Sequence, residues 1–237
     1  MENDQIPVVP IILGLFAVVA FVLFLVMLAF IGFLISRAVK RRSYDTGRGQ
    51  QMQEAAGQLG LDFRSQAELA ALPFLLSFEF FEGNPLKFEN LLTGTVGGHN
   101  TAIFDLAYRN VGGQTGGTTT SRQTMCVIES SRLNLTEFYL RPEGLIEKAL
   151  NTIARVDIDF AARPDFSRKF LLYGKDDGAI RHLFTEPKLD FFEKNPHLSV
   201  FGGGNHLCIY QSRFLIHPAQ LGQYLQYLSY LHNLFRQ

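Results

Sequence analysis

The sequence predicts an α+β protein: one N-terminal transmembrane helix, then a mostly antiparallel sheet domain with several helices, including a C-terminal amphipathic helix. Three observations predict it. An uncharged apolar run fills the N-terminus, short alternating segments separated by glycine turns fill the middle, and a helical repeat of leucines closes the chain. The expected organisation is an anchor with a basic cytoplasmic flank over 1–42, a juxtamembrane linker and short helices over 43–75, and a soluble α+β domain over 76–237.

From Gln5 to Ser36 no residue is charged, and Ile11–Ile35 is apolar almost throughout. Crossing ~30 Å of hydrocarbon takes about 20 residues at a rise of ~1.5 Å, so this run is long enough to span. Its length, the lack of a preceding Lys or Arg, and the lack of an A-x-A-like site argue against a cleaved signal peptide. No polar face interrupts it, which argues against a buried core helix. Basic residues follow it at Arg37, Lys40, Arg41 and Arg42, whereas only Glu2 and Asp4 precede it. The positive-inside rule then predicts a single-pass protein of the cell inner membrane, with the N-terminus outside and the C-terminal domain cytoplasmic. The lipid bilayer is the first expected partner. Ala29, Gly32 and Ser36 are the candidate contact for a second helix, since small residues let two backbones approach.

Beyond a polar linker at Ser43–Gly49, Gln50–Leu59 reads as a short helix stopped by Gly60. Leu61–Phe63 reads as extended. Ser65 with Glu68 reads as a capping box opening a helix to Leu72, limited by Pro73. Strands are expected at Lys87–Thr95, His99–Tyr108, Gln123–Glu129 and Glu137–Leu140, the first two joined at Gly97-Gly98, which suggests an antiparallel meander. Val111–Ser121 reads as a flexible Gly/Thr loop. Gly144–Ile153 reads as a helix, and Val156–Phe160 as a half-buried strand from its apolar–acidic alternation. Another strand is expected at Phe170–Tyr173. Asp176 and Asp177 can cap a helix to Phe184, and a second helix covers Lys188–Glu193. A hairpin at Leu198–Phe201 and His206–Tyr210 precedes the helix Pro218–Phe235, whose Leu221, Leu225 and Leu228 fall on one face.

Lys plus Arg and Asp plus Glu both number 22, which argues against a general nucleic-acid partner. With two cysteines, Cys126 and Cys208, a secreted disulfide scaffold is also disfavoured; free buried thiols are expected, a bridge only in an oxidising compartment. The sequon Asn134-Leu135-Thr136 matters only if the orientation is reversed.

Chemistry-bearing groups are sparse. The Gly/Thr loop at 112–121 lacks the lysine and the following helix of a phosphate-binding loop. His197, His206 and Cys208 offer three zinc ligands, though without paired metal spacing. Asp157 and Asp159 share a strand face and would suit Mg²⁺ or acid/base work, with Arg155 and Arg163 as counter-charges. No G-x-S-x-G elbow occurs. The expectation is therefore no catalytic residue, no cofactor and no resident metal.

Phe104-Asp105-Leu106-Ala107-Tyr108, Leu140-Arg141-Pro142-Glu143, Asp157-Ile158-Asp159-Phe160 with Pro164-Asp165-Phe166-Ser167, and Phe170-Leu171-Leu172-Tyr173-Gly174 carry a resemblance. Over roughly residues 50–237 the chain resembles an uncharacterised group of bacterial single-pass membrane-anchored proteins with an α+β soluble domain. The resemblance implies a bacterial setting and carries no site residue. The reading is a non-enzymatic, membrane-anchored interaction or accessory/scaffold protein with a membrane-protein partner or a second copy of itself. A membrane-tethered small-molecule sensor and a metal-dependent hydrolase are the alternatives.

Overall fold

A computed structural model describes residues 26, 27, 29–33, 47–68, 72, 74, 75, 86–111, 118–144 and 157–236. The chain divides into two compact units, Met1–Arg48 and Gly49–Gln237.

In the first unit the described residues between 26 and 33 are helical and exposed, Ala29 and Gly32 among them. A Cβ placed on Gly32 would meet nothing within 4 Å. Among the described residues no helix is long and apolar enough to cross a membrane. Most of the apolar run at 11–35 lies outside those residues, as do Ser36, Arg37, Lys40, Arg41 and Arg42.

The second unit is built on one eight-stranded antiparallel sheet. Its strands are β1 (Asp62–Ala67), β2 (Leu86–Val96), β3 (His99–Val111), β4 (Thr118–Glu129), β5 (Leu135–Pro142), β6 (Phe170–Gly174), β7 (Leu198–Gly204) and β8 (His206–Gln211). The helices are α1 (described over 47–59), α2 (Pro164–Lys169), α3 (Asp177–Leu183), α4 (Glu186–Lys194) and α5 (Leu221–Phe235). Strands run β1-β2-β3-β4-β8-β7-β5-β6 across the sheet. The expected meander holds through β4. The returning β7–β8 hairpin then pairs with β4, so β5 lies beyond it, beside β7 and β6.

Local chemistry sets the tight turns. Gly97 and Gly98 sit at φ +59° and +83°, the left-handed pair that a two-residue hairpin between twisted strands requires. Gly60 at φ +68° ends α1 as expected. Asp176 caps α3, its Oδ1 accepting from Ala179 N at 2.9 Å.

Alternation along the strands gives the sheet two apolar faces. One, through Leu92, Ile103, Cys126, Phe138, Val200 and Ile209, carries the helices: Met52 and Ala56 of α1, Phe166 of α2, Ile180 of α3, Phe192 of α4, and Leu221, Leu225, Leu228 and Phe235 of α5 are all buried on it. The C-terminal helix is thus a packed core element, as its leucine spacing requires. The other face, through Phe88, Phe104, Met125, Val127, Phe201 and Cys208, receives Leu72 and Leu75. Cys126 and Cys208 are free and buried on opposite faces, so the conditional bridge does not form.

Several expected elements are corrected. Ser65 opens no helix: it lies in β1, whose neighbouring residues Arg64 and Gln66 pair with β2 and hold the segment extended. Val156–Phe160 is not a strand where it is described. Ile158 N donates to Leu172 O, but the Asp157 carboxylate, rather than a backbone carbonyl, takes the Leu172 N–H at 2.8 Å, so the ladder stops there. The Gly/Thr loop is shorter than expected, because β3 reaches Val111 and β4 begins at Thr118. Helix α2 was not anticipated. The expected helix at Gly144–Ile153 lies outside the described residues from 145 onward.

Candidate functional site

The sequence-predicted groups are not brought together. Cys208 pairs with Phe201 in mid-hairpin and His206 with Gly203 near the turn. His197 precedes β7 at the opposite end, where Leu198 faces Gln211. Register separates His197 from the other two, which share one face of β8 as expected. Asp157 is spent on the Leu172 amide, and burial raises its carboxyl above the usual range while that amide opposes the shift. Asp159 is exposed, and its backbone oxygen accepts from Arg181 Nη1 at 2.5 Å. Arg163 does not face these aspartates; it pairs with Glu186, Asp190 and Glu193 around α4. Burial pushes both thiols up, Cys126 and Cys208 alike, so neither is a ready nucleophile. Among the described residues no three His, Cys, Asp or Glu side chains are gathered to hold a metal ion.

What the fold does assemble is a polar rim at one end of the sheet. The β2–β3 turn, the end of β4, the β7–β8 turn and the last turns of α5 meet there. His99, His206 and His232, half of the chain's six histidines, lie on these elements.

Glu129 stands at the centre. Asn100 Nδ2 donates to its Oε2 at 3.2 Å, and Asn205 Nδ2 donates to its Oε1 at 3.2 Å. His206 Nε2 lies 3.9 Å from the same Oε1. Burial lowers the pKa of His206, with Glu129 pulling the other way, so the imidazole is mostly neutral near pH 7. Phe74 stacks on the His206 ring at 4.6 Å.

Two hollows flank this carboxylate. One, of about 600 Å³, lies on the Cys208 side of the sheet, between Phe74, Leu72, the β2 residues Thr93–Thr95, Ala102, Val127 and His206. The other, of about 530 Å³, is polar and is lined by Gly97 to Asn100, Ser130 to Arg132 and Asn205. Glu129 and Asn100 border both.

Behind the polar hollow, His232 Nε2 lies 3.0 Å from Ser130 Oγ, and its ring lies 3.9 Å from that of His99. Burial lowers the His232 pKa first, and the neighbouring His99, Arg132 and Arg236 lower it further. The distance is that of a nucleophile and its base. Yet Ser130 Oγ also accepts the Arg132 N–H in its own turn, at 3.2 Å, and both side chains are buried. The pair ties α5 to the end of β4.

Sequence reasoning missed Glu129, Asn100, Asn205, Ser130 and His232. They stand as far as 76 positions apart for Glu129 and Asn205, and 102 for Ser130 and His232. No spacing rule reaches that far. The available signal was only polar residues beside the Gly97-Gly98 and Gly204-Asn205 turns.

The fold and rim define a class: a single antiparallel sheet with helices on one face and a polar rim at one end. No family model matches the chain, and no curated protein matches it. Among solved structures it is similar to the mycobacterial trehalose monomycolate transport factor A, TtfA, at 15% identity and a TM-score of 0.57. The match covers 80% of this chain and 95% of that one, and shows a shared fold.

Proposed function

We propose that this protein is a non-enzymatic accessory subunit of a membrane transport assembly in a bacterium. The 11–35 run would hold it in the inner membrane, N-terminus outside, with the sheet domain at the cytoplasmic face. The observation that carries the reading is a sheet domain sharing its fold with nearly the whole of a protein named as a transport factor. That domain follows an uncharged apolar run and the basic flank Arg37, Lys40, Arg41 and Arg42. The rim adds support, since its Ser–His pair anchors a helix, and the two cysteines buried within the sheet are kept as thiols. Ala29, Gly32 and Ser36 would be the surface for a partner helix or a second copy.

Orientation is tested with C-terminal reporter fusions in a bacterial host. A fluorescent cytoplasmic reporter and an inactive periplasmic phosphatase are expected; an active phosphatase overturns the placement. Assembly is tested by native electrophoresis in mild detergent after photo-crosslinking from Gly32. A crosslinked species heavier than the monomer is expected, and a monomer alone at native expression overturns the accessory role.

A further inference from the structure

We propose that the 600 Å³ hollow beside Glu129 binds a molecule carrying a primary ammonium group on an apolar body, with the Glu129 carboxylate as its counter-charge. The inference goes beyond the accessory reading and does not rest on it.

The hollow has the size of small-molecule sites, roughly 300–1,000 Å³. Its floor is apolar: Leu72, Ala102 and Val127 are buried there, with the Phe74 ring as one wall. Among the described residues that line it, Glu129 is the one formally charged side chain. An ionised carboxylate accepts about four hydrogen bonds. Asn100 and Asn205 take one oxygen each, which fixes the carboxylate and leaves lone pairs on both oxygens. No lysine or arginine among the described residues pairs with it; its basic neighbour is His206 at 3.9 Å. Since burial disfavours the imidazolium, His206 leaves that negative charge largely unbalanced near neutral pH.

A held, unbalanced carboxylate at the end of an apolar floor selects its ligand by charge. An ammonium is all donor and carries the missing charge. Hydroxyls of Thr93 and Thr95 on the same wall can accept its remaining protons. An anionic head meets repulsion, and a neutral alcohol supplies one donor and no charge.

The test uses the full chain in phosphatidylcholine nanodiscs and ligand-observed NMR, with empty discs subtracted. The probes are 2-phenylethylamine, 2-phenylethanol and 3-phenylpropanoate. The amine is expected to bind at least about tenfold more tightly than the alcohol, in line with a charge-assisted hydrogen bond, and the carboxylate not at all. Glu129→Gln is expected to remove that tenfold preference with an unchanged melting temperature, while Glu54→Gln on the exposed face of α1 changes nothing. Equal binding of amine and alcohol, or an unaffected Glu129→Gln, overturns the proposal. Should Glu129→Gln melt early, Thr93→Phe fills the hollow and keeps the carboxylate; amine binding that survives it also overturns the site. Replacing part of the phosphatidylcholine by phosphatidylethanolamine separates the two sources of such a head. Displacement of the amine assigns the site to a lipid ammonium, and undiminished binding assigns it to a free amine.

Discussion

The two ends of the sheet solve opposite problems. Over β5, β6 and β7 the interior is built around a cluster of phenylalanines packed among aliphatic side chains. Phe138 stacks on Phe235 at 5.6 Å and meets Phe184 edge-on at 5.1 Å, while Phe166, Phe170 and Phe192 extend the cluster beneath α2 to α4. These phenylalanine rings carry no polar atom, so close packing alone satisfies them. Over β2, β3 and β4 the interior admits polar groups and ties several of them together. Asn90 Nδ2 donates to Asp105 Oδ2 at 2.9 Å, Thr124 Oγ1 donates to Asp105 Oδ1 at 2.7 Å, and Ile216 N donates to Thr124 Oγ1 at 3.0 Å. The network holds the β2 bulge, where Asn90 sits at φ +52°, and the loop leading to α5. At the rim the Glu129 carboxylate pairs with no lysine or arginine among the described residues. The aromatic end is held by packing, and the polar end by directed hydrogen bonds.

The sharpest way to break this contrast is to remove the ring at the centre of the aromatic end. Phe138 is 0% exposed. Phe138→Ala is expected to cost about 3–5 kcal/mol in urea unfolding, from lost transfer energy and the cavity left behind. A cost under about 1 kcal/mol would show that the cluster repacks freely and does not carry the fold.

A smaller effect at the same end comes from adding atoms. A Cβ on Gly202 would lie 2.6 Å from Phe138 Cε1 and 2.8 Å from Leu135 Cδ1. Gly202→Ala is therefore expected to destabilise by about 1–3 kcal/mol through overpacking. If Phe138→Ala is made first, the second substitution should cost less, because the space it needs is then empty. Additive costs would refute the shared cavity.

The aromatic end was also the more legible in sequence. Its α3 cap follows from Asp176 and its C-terminal helix from leucine spacing, both local signals. Helix α2 had a signal that was passed over, Pro164 in its first turn with Asp165 beside it and Arg168 and Lys169 at the end; six residues are too few for periodicity to speak. At the polar end the strands β2 and β3 were legible from alternation, but not what they place. Asp105 is buried at 2% exposure on a strand whose neighbours read as core, and its partners Asn90 and Thr124 come from other strands. Strand order was the deeper loss. Nothing near Cys126 announces that it will face Ile209, and that pairing brings Asn205 and His206 to Glu129. Ser65 shows the converse: a local capping pattern was present, and pairing with β2 overrode it.

At the polar end the corresponding test is Thr124→Val. The change keeps the shape but leaves the Ile216 N–H without its acceptor and one Asp105 oxygen without its donor. A cost of about 1–3 kcal/mol is expected, the range for stranding buried polar groups. The loss should be accompanied by faster amide exchange at Ile216, which Gly202→Ala should not produce.

The smallest expected effect is a pH dependence confined to the histidine rim. His232 has its folded-state pKa lowered, chiefly by burial, and His206 is lowered for the same first reason. For such a group the unfolded chain takes up the proton first, at a pKa near 6.5. The stability is therefore fully present above about pH 6.5 and is lost as pH falls from there through the folded-state pKa, with no further loss below it. Each histidine can contribute a slope of at most about 1.4 kcal/mol per pH unit within that window. Among the described residues the groups facing His232 are Ser130, His99, Arg132 and Arg236, all basic or neutral, so none of them reverses the sign. Urea unfolding between pH 7.5 and 5.5 should show the decline, and His232→Gln should flatten part of it. Glu129→Gln should steepen what remains, because it removes the carboxylate that favours a charged His206. A slope that His232→Gln leaves untouched would place the acid sensitivity elsewhere in the domain, and would mean that the Ser130–His232 tie does not couple α5 to the rim.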